Sequence, residues 1–304
     1  MSQSNEPFRL EDDTYSFPSF PDPAGPLRTV TSVAVHGSVL DGVVAATKVA
    51  VVSLLLSIPL SPALAVAGLV TFAVYGSNKF VDAEDEVNCP DRAAFVARYR
   101  RPLLAATLGA LGVALTLAAV EGLDSMALTL VPLLAALLYS LEWVPLDGGT
   151  RLKDVLFVNT ALVASAWAVF VTFLPVAWVD VPVTPAAVVV CLFFFVQTVV
   201  AGEVLNARDV VGDRAEGVST LSTVLGVPRT RHLLVALDGL TLVLLAASVV
   251  TGALSATHAL ALVPAVAYSL AITSLLGLDV DRSRLGTCRD AQYGLLLVCV
   301  WLVA

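Results

Sequence analysis

Nine stretches of the chain read as apolar runs, each divided from the next by a short polar segment. They cover residues 35–56, 62–78, 102–120, 126–143, 155–174, 185–205, 233–250, 258–276 and 291–304. The period-two alternation of a membrane barrel is absent. Most runs approach the roughly 20 residues that cross a hydrocarbon core. In lipid a spanning segment must satisfy its own backbone polar groups, which makes these runs helices. The expected architecture is therefore all-α: a polytopic membrane protein of about nine transmembrane helices. The ninth run is short and still apolar at the last residue.

Residues 1–32 break the pattern. They hold Glu6, Glu11, Asp12, Asp13 and Asp22 among five prolines, with no long apolar run. This segment is expected to be a disordered acidic tail, followed by a transmembrane domain over 33–304. It has neither the basic start nor the short apolar core of a signal peptide.

Composition agrees with the pattern. Hydrophobic residues make up 58% and charged residues only 14%, against roughly 25% charged in an average soluble domain. The net charge of −8 is opposite to the basic balance of a nucleic-acid binder. Cys89, Cys191, Cys288 and Cys299 show no metal-ligand spacing, and no disulfide framework is implied. No protein partner is indicated.

The cations are one-sided. Of the 17 lysines and arginines, Lys48 alone lies within a run. The others fall in the tail (Arg9, Arg28) and in the segments after runs two, four, six and eight. The opposite segments hold Glu121, Asp124 and Asp180 but no cation. By the positive-inside rule the N-terminus and the even-numbered exits face the cytoplasm of an integral, multi-pass cell-membrane protein.

Two of those exits carry acids. Asn78, Asp82 and Glu86 follow run two at i, i+4 and i+8, along one helix face. Glu203, Asn206, Asp209 and Asp213 follow run six in steps of three, three and four, again one face. Stacked carboxylates repel one another, and acids at a helix C-terminus oppose its dipole. A divalent cation relieves both costs, and Mg²⁺ suits oxygen ligands shared with substrate phosphates. The alternative is that these are solvated charges marking the membrane exit. Asn78 and Asn206 lie 128 residues apart, each in a cluster followed by a basic stretch, which reads as a quasi-repeat of four plus four helices with a ninth added.

These residues resemble the UbiA superfamily of membrane prenyltransferases. Its first motif, N-D-x-x-D-x-x-x-D, is matched by Asn78, Asp82 and Glu86, with Lys79 in the second position. Its second motif, D-x-x-G-D followed by x-x-x-G-x-x-T-L, is matched by Asp209, Gly212, Asp213, Gly217, Thr220 and Leu221. Tyr139-Ser140 resembles the family's Tyr-Ser pair at the fourth helix. Lys79 and Asn206 stand where many members carry Asp, and both changes lower the negative charge.

The resemblance implies a UbiA-like bundle and a Mg²⁺-bound polyprenyl diphosphate that ionises to an allylic cation, captured by a lipophilic acceptor. Aromatic quinone precursors, ether lipids and carotenoids all serve as acceptors in the family. On this reading Asn78, Asp82, Glu86, Glu203, Asn206, Asp209 and Asp213 are the metal ligands. Asp82, Asp209 and Tyr139 are catalytic, with Tyr139 offering its ring to the cation or else marking the membrane interface. Lys48, Arg151, Lys153 and Arg208 are substrate-binding candidates. Lys48 lies mid-run, seven residues after Asp41 and on the same face, so it either pairs with Asp41 or meets an anionic group. Asp238 is expected to point into the same cavity. The competing class is a transporter or ion exchanger that binds cations on these acids, but such proteins place them nearer the midplane.

The cation distribution gives a first prediction. A cysteine label at Gly122 should react from outside the cell, and one beside Arg284 only after permeabilisation. Equal external labelling at both would overturn the orientation.

Overall fold

The computed structural model describes residues 34, 36–80, 90–140, 155–215, 217–278, 285 and 288–304. The acidic tail expected over 1–32 lies outside the described residues. Twelve helices are described: α1 (Val39–Leu55), α2 (Ala63–Asn78), α3 (Pro90–Arg98), α4 (Arg100–Glu121), α5 (Leu123–Ser140), α6 (Val158–Trp178), α7 (Pro185–Arg208), α8 (Val210–Ala215), α9 (Leu221–Val224), α10 (Val227–Val250), α11 (Ala256–Ser274) and α12 (Ala291–Trp301). Each of the nine predicted runs coincides with one of them, and α3, α8 and α9 are short additions between runs. Five helices, α4, α6, α7, α10 and α11, are long and apolar enough to cross a membrane by length and composition.

The helices form a ring with a repeating plan. In the first half α1 packs on α2, α2 on α4 and α4 on α5, while α2 also touches α5. The second half repeats this with α6, α7, α10 and α11, including a contact of α7 with α11. The two leading helices, α1 and α6, pack together. Helix α5 then packs on α6; at the equivalent place between α11 and α1 stands α12, touching both. Four plus four helices thus leave one opening, and the ninth fills it.

Apolar side chains are used on both faces. Val49, Val52, Phe170, Leu174, Phe193, Phe194, Leu262 and Leu296 form the buried core. Val120, Leu123, Val250 and Leu260 are largely exposed. In water such exposure is costly; against lipid tails it costs nothing, and this outer surface is suited to hydrocarbon. Pro132, Pro175 and Pro264 lie inside α5, α6 and α11, as membrane helices tolerate where neighbours take up the freed carbonyls.

Two boundaries differ from expectation for physical reasons. Helix α10 starts at Val227, six residues before the predicted 233, because Gly226 (φ 81°) turns the chain and Pro228 sits in the first turn. The apolar run marks only the part that needs hydrocarbon; the helix continues through Arg229 and Arg231. Secondly, α7 ends at Arg208 with Asp209 as its C-cap (φ −89°, ψ 8°), and α8 begins at Val210. Glu203, Asn206, Asp209 and Asp213 therefore do not ride on one continuous helix.

Helices α1 and α2 meet backbone to backbone. A Cβ added at Gly42 would lie 2.7 Å from the Gly68 carbonyl oxygen, and one at Gly68 3.2 Å from that of Gly42. Small residues permit this approach, which dispersion then rewards. Gly42→Leu should lower stability in detergent by about 1–3 kcal/mol. Gly109→Leu, where a Cβ meets nothing within 4 Å, should change it little. Equal melting shifts for the two variants would sink the close-approach argument.

Candidate active site

The polar side chains that the runs cannot show to lipid turn inward onto two adjoining cavities, the arms of the site. One arm, about 210 Å³, lies among α1, α2, α5, α6, α7 and the start of α12. Its polar lining comprises Asp41, Lys48, Thr71, Asn159, Thr160, Thr198, Asn206 and Asp290. The second arm, about 240 Å³, lies among α2, α5 and α6, with Asn78, Lys79 and Arg92 at its polar end. Tyr75, Tyr139, Val163 and Trp167 line both, so the two arms adjoin at this shared wall, their junction. There Tyr75 stacks on Trp167, with ring centroids 5.6 Å apart and 11° between planes.

Helix α2 ends at Asn78, which places that side chain on the second arm. Asn206, one turn from the end of α7, lines the first. Residues from the two acidic motifs thus line adjoining cavities that share a wall. Tyr139, near the end of α5, stands at the junction rather than only at a membrane boundary. Asp82, Glu86, Arg151 and Lys153 lie outside the described residues.

Other candidates are engaged elsewhere. Arg208 donates from Nε and Nη2 to the two carboxylate oxygens of Asp209, at 2.6 Å each. Glu203 is buried in α7, and its Oε1 accepts from Thr160 Oγ1 of α6 at 2.5 Å. Its Oε2 has no hydrogen-bond partner among the described residues, although the Asn206 side chain and Leu221 backbone lie near that carboxyl. Asp213 is buried within α8. None of Glu203, Arg208, Asp209 and Asp213 lines either arm.

Lys48 does not take Asp41, one of the two partners its spacing suggested. The Lys48 ammonium sits 4.1 Å from the centroid of the Tyr293 ring, with Asp41 and Asp290 on the same cavity wall. Asp41 instead lies 3.9 Å from Lys79. Lys79 Nζ also donates to Ser38 Oγ (2.6 Å) and to the His36 carbonyl (3.1 Å), tying the end of α2 to the entrance of α1.

Asp238 does not face the cavity, contrary to expectation. It is fully buried among α7, α10 and α11, where Gln197 Nε2 (3.1 Å) and Ser269 Oγ (2.8 Å) donate to Oδ1 and Thr273 Oγ1 (3.3 Å) to Oδ2. A carboxylate inside the bundle is retained where donors surround it, and these supply that need.

Sequence reasoning missed Asn159, Thr160, Asp290 and Tyr293. A signal was present: Asn-Thr early in the fifth run and Asp-Ala-Gln-Tyr opening the ninth put polar groups where lipid allows none. The rest of the second motif proves architectural. Gly217 has φ 73°, and the Thr220 hydroxyl accepts from the Thr223 amide in a capping box that starts α9. Asn159 Nδ2 donates to the Ser219 carbonyl (3.3 Å), holding that loop to α6.

The described donors suit a hard cation held chiefly by its substrate. No group of three His, Cys, Asp or Glu stands together among the described residues. Of the two motifs, Asn78 and Asn206 line the cavities, with the Asp41 and Asp290 carboxylates on the wall of the first arm, and the unpartnered Glu203 Oε2 lies one turn from Asn206. An all-oxygen set with few charges fits Mg²⁺, which completes its shell with phosphate and water.

The UbiA prenyltransferase family model matches residues 42–291. No curated protein matches the sequence. Among solved structures, an apo UbiA homolog from Aeropyrum pernix K1 superposes with a TM-score of 0.66 at 12% identity, covering 87% of this chain and 98% of that one. A digeranylgeranylglyceryl phosphate synthase gives 0.60 at 14%, and a UbiA homolog from Archaeoglobus fulgidus bound to DMAPP and Mg²⁺ gives 0.59 at 17%; each covers 91% of this chain and 98% of the other. Those likenesses carry the fold, and the family match carries the chemistry: this chain belongs to the UbiA prenyltransferase family and is a transferase of the membrane.

Proposed function

We propose that this protein transfers a polyprenyl group, with Mg²⁺, from a polyprenyl diphosphate to a lipophilic acceptor within the cell membrane, at a site facing the cytoplasm. The observation that carries this reading is the pair of adjoining cavities that share a wall, one lined by Asn78 of the first motif and the other by Asn206 of the second. The Archaeoglobus homolog bound to DMAPP and Mg²⁺ supports the donor class. The one-sided lysines and arginines support the orientation.

Asn78, Asp82, Glu86, Asn206, Asp209 and Asp213 would hold Mg²⁺, with Glu203 supporting. When bound, the ion neutralises charge developing on the departing diphosphate. The chain's own residues do the rest. Lys79 and Arg92, at the polar end of the second arm, attract the diphosphate. In the reaction the allylic C1–O bond breaks with its electron pair leaving on the diphosphate, the acceptor bonds to C1, and the acceptor loses a proton. Tyr75, Tyr139 and Trp167 at the junction offer ring faces to the cation. The apolar walls around them keep out water that would quench it.

The first arm sets Lys48, Asp41 and Asp290 among apolar walls that include Val44, Val163 and Val171. It suits an acceptor with an acidic or electron-rich head, such as a quinone precursor or a glycerol-phosphate lipid, better than a hydrocarbon carotenoid.

Asp82→Ala and Asp209→Ala should each cut prenyl transfer by at least about a hundredfold, while both variants still insert and fold. Transfer is measured with labelled geranylgeranyl diphosphate and candidate acceptors in membranes. Near-normal turnover in either variant would count against a shared metal–diphosphate site.

A further inference from the structure

Capture of the allylic cation leaves a proton to be removed from the acceptor, and a base has to stand near C1 to take it. C1 is bonded to a diphosphate oxygen, so that base belongs at the level of the motif residues. Among the described residues two carboxylates line the first arm, those of Asp41 and Asp290, and none lines the second. Asp41 lies 3.9 Å from the Lys79 ammonium. Asp290 has neither a hydrogen bond nor an ion pair among the described residues. Resting on the prenyltransferase reading, we propose that Asp290 is the general base of the transfer. The acceptor then reacts through an atom that carries a proton, in a hydroxyl or an electron-rich aromatic ring.

Backbone geometry gives an independent reason. Asp290 stands at the N-cap of α12, from which an aspartate ordinarily accepts from an amide of the first turn. Here φ is −72° and ψ −19°, and the side chain makes no cap hydrogen bond. The carboxylate lines the cavity instead. The two residues before it are tied to neighbouring helices. Tyr268 of α11 donates its hydroxyl to the Cys288 carbonyl (2.8 Å), and Arg289 Nη2 donates to the Gln197 carbonyl of α7 (3.2 Å). A base held in this way needs no ordering when the acceptor arrives.

Depth fits as well. Asn206 of the second motif lines the same cavity from the last turn of α7. Helices α10 and α11 lie between α7 and α12 in the chain and are both long enough to span. The end of α7 and the start of α12 are therefore on one side of the membrane, so Asn206 and Asp290 share a level. The charged groups that act on Asp290 are Lys48 and Asp41 of α1, Arg208 of α7 and the adjoining Arg289. In the step itself, an electron pair of the acceptor makes the bond to C1. The acceptor's bond to hydrogen breaks with its pair staying on the acceptor, and the proton passes to an Asp290 oxygen and then to water.

The test uses membranes of the source cells, which hold the natural acceptor, with each variant expressed in place of the wild-type chain. Saturating labelled geranylgeranyl diphosphate and Mg²⁺ are added, and label entering the lipid product is followed. Asp290→Asn should cut the rate by at least about a hundredfold. Its KM for the diphosphate should stay within about threefold of wild type, which reports a folded donor site. The wild-type rate should fall toward acid pH as the carboxylate takes up a proton, and Asp290→Asn should lack that acid limb. Asp290→Glu, which keeps a carboxylate, should recover part of the rate and shift the limb, while Asp41→Asn should leave the limb in place. A rate in Asp290→Asn within about threefold of wild type, or a limb lost in Asp41→Asn instead, overturns the assignment. Loss of rate and diphosphate KM together in both Asp290 variants makes the residue structural and overturns it too. If wild-type membranes transfer no label, the prenyltransferase reading itself fails.

Discussion

The Lys48–Tyr293 contact is where a charge that lipid rejects is made to hold the bundle closed. An ammonium at mid-membrane costs about 2.5–3.5 kcal/mol on insertion scales, so Lys48 cannot face outward. The ring face of Tyr293 lies 4.1 Å from it, on the helix that stands between α11 and α1. Two repeats of four helices leave a gap at that place, and a polar cavity open to hydrocarbon there would lose its contents to lipid. Helix α12 closes the gap and presents Asp290 and Tyr293 to the same cavity as Lys48. Closure of the ring and formation of the polar arm are one event.

A second polar knot keeps α12 in register. Gln197, at the middle of α7, donates through Nε2 to Asp238 and accepts at Oε1 from Gln292 (2.7 Å) and Arg289 (3.4 Å). One amide thereby links an anion on α10 to a cation at the foot of α12. All four residues are fully or almost fully buried, where an unpaired charge would be costly; Arg289 Nε and Nη1 and Gln292 Oε1 have no hydrogen-bond partner among the described residues, so the network is only partly satisfied. Both the knot and the Lys48 contact act on the same short helix, which has too few residues to be positioned by its own span.

The second acidic motif divides its labour. Asn206 faces the cavity, while Glu203 turns sideways to Thr160 and braces α7 against α6. Asp209 caps α7 and pairs with Arg208. Gly217 and Thr220 shape the loop that returns through α9 to the base of α10. A string of residues that looks like a single ligand set is, in three dimensions, part ligand set and part scaffold. In the first motif Lys79 has a comparable scaffold role, joining α2 to α1 through Ser38 and His36.

The sequence by itself determined the class, the nine apolar helices and the family, because each rests on quantities local to the chain. A bilayer fixes the length and composition of a span, and the motifs are short strings whose residues need no partner to be recognised. It also marked Lys48 as inward-facing, since lipid leaves a charged group nowhere else to go, and singled out Asn78 and Asn206 by their motifs and Tyr139 as a residue of the cavity or the membrane interface. Tertiary structure decided what those groups meet. Asp41 and Lys48 share a helix face, yet Asp41 lies beside Lys79 and Lys48 beside Tyr293, residues 38 and 245 positions further along the chain. Asp238 shares the polarity of a site residue but is enclosed by donors from α7 and α11. The break at Asp209 redirected acids that a continuous helix would have aligned. Periodicity along one helix gives the direction of a side chain, whereas its partner depends on which helices pack alongside, and in hydrocarbon that choice is made by close packing and the pairing of buried polar groups.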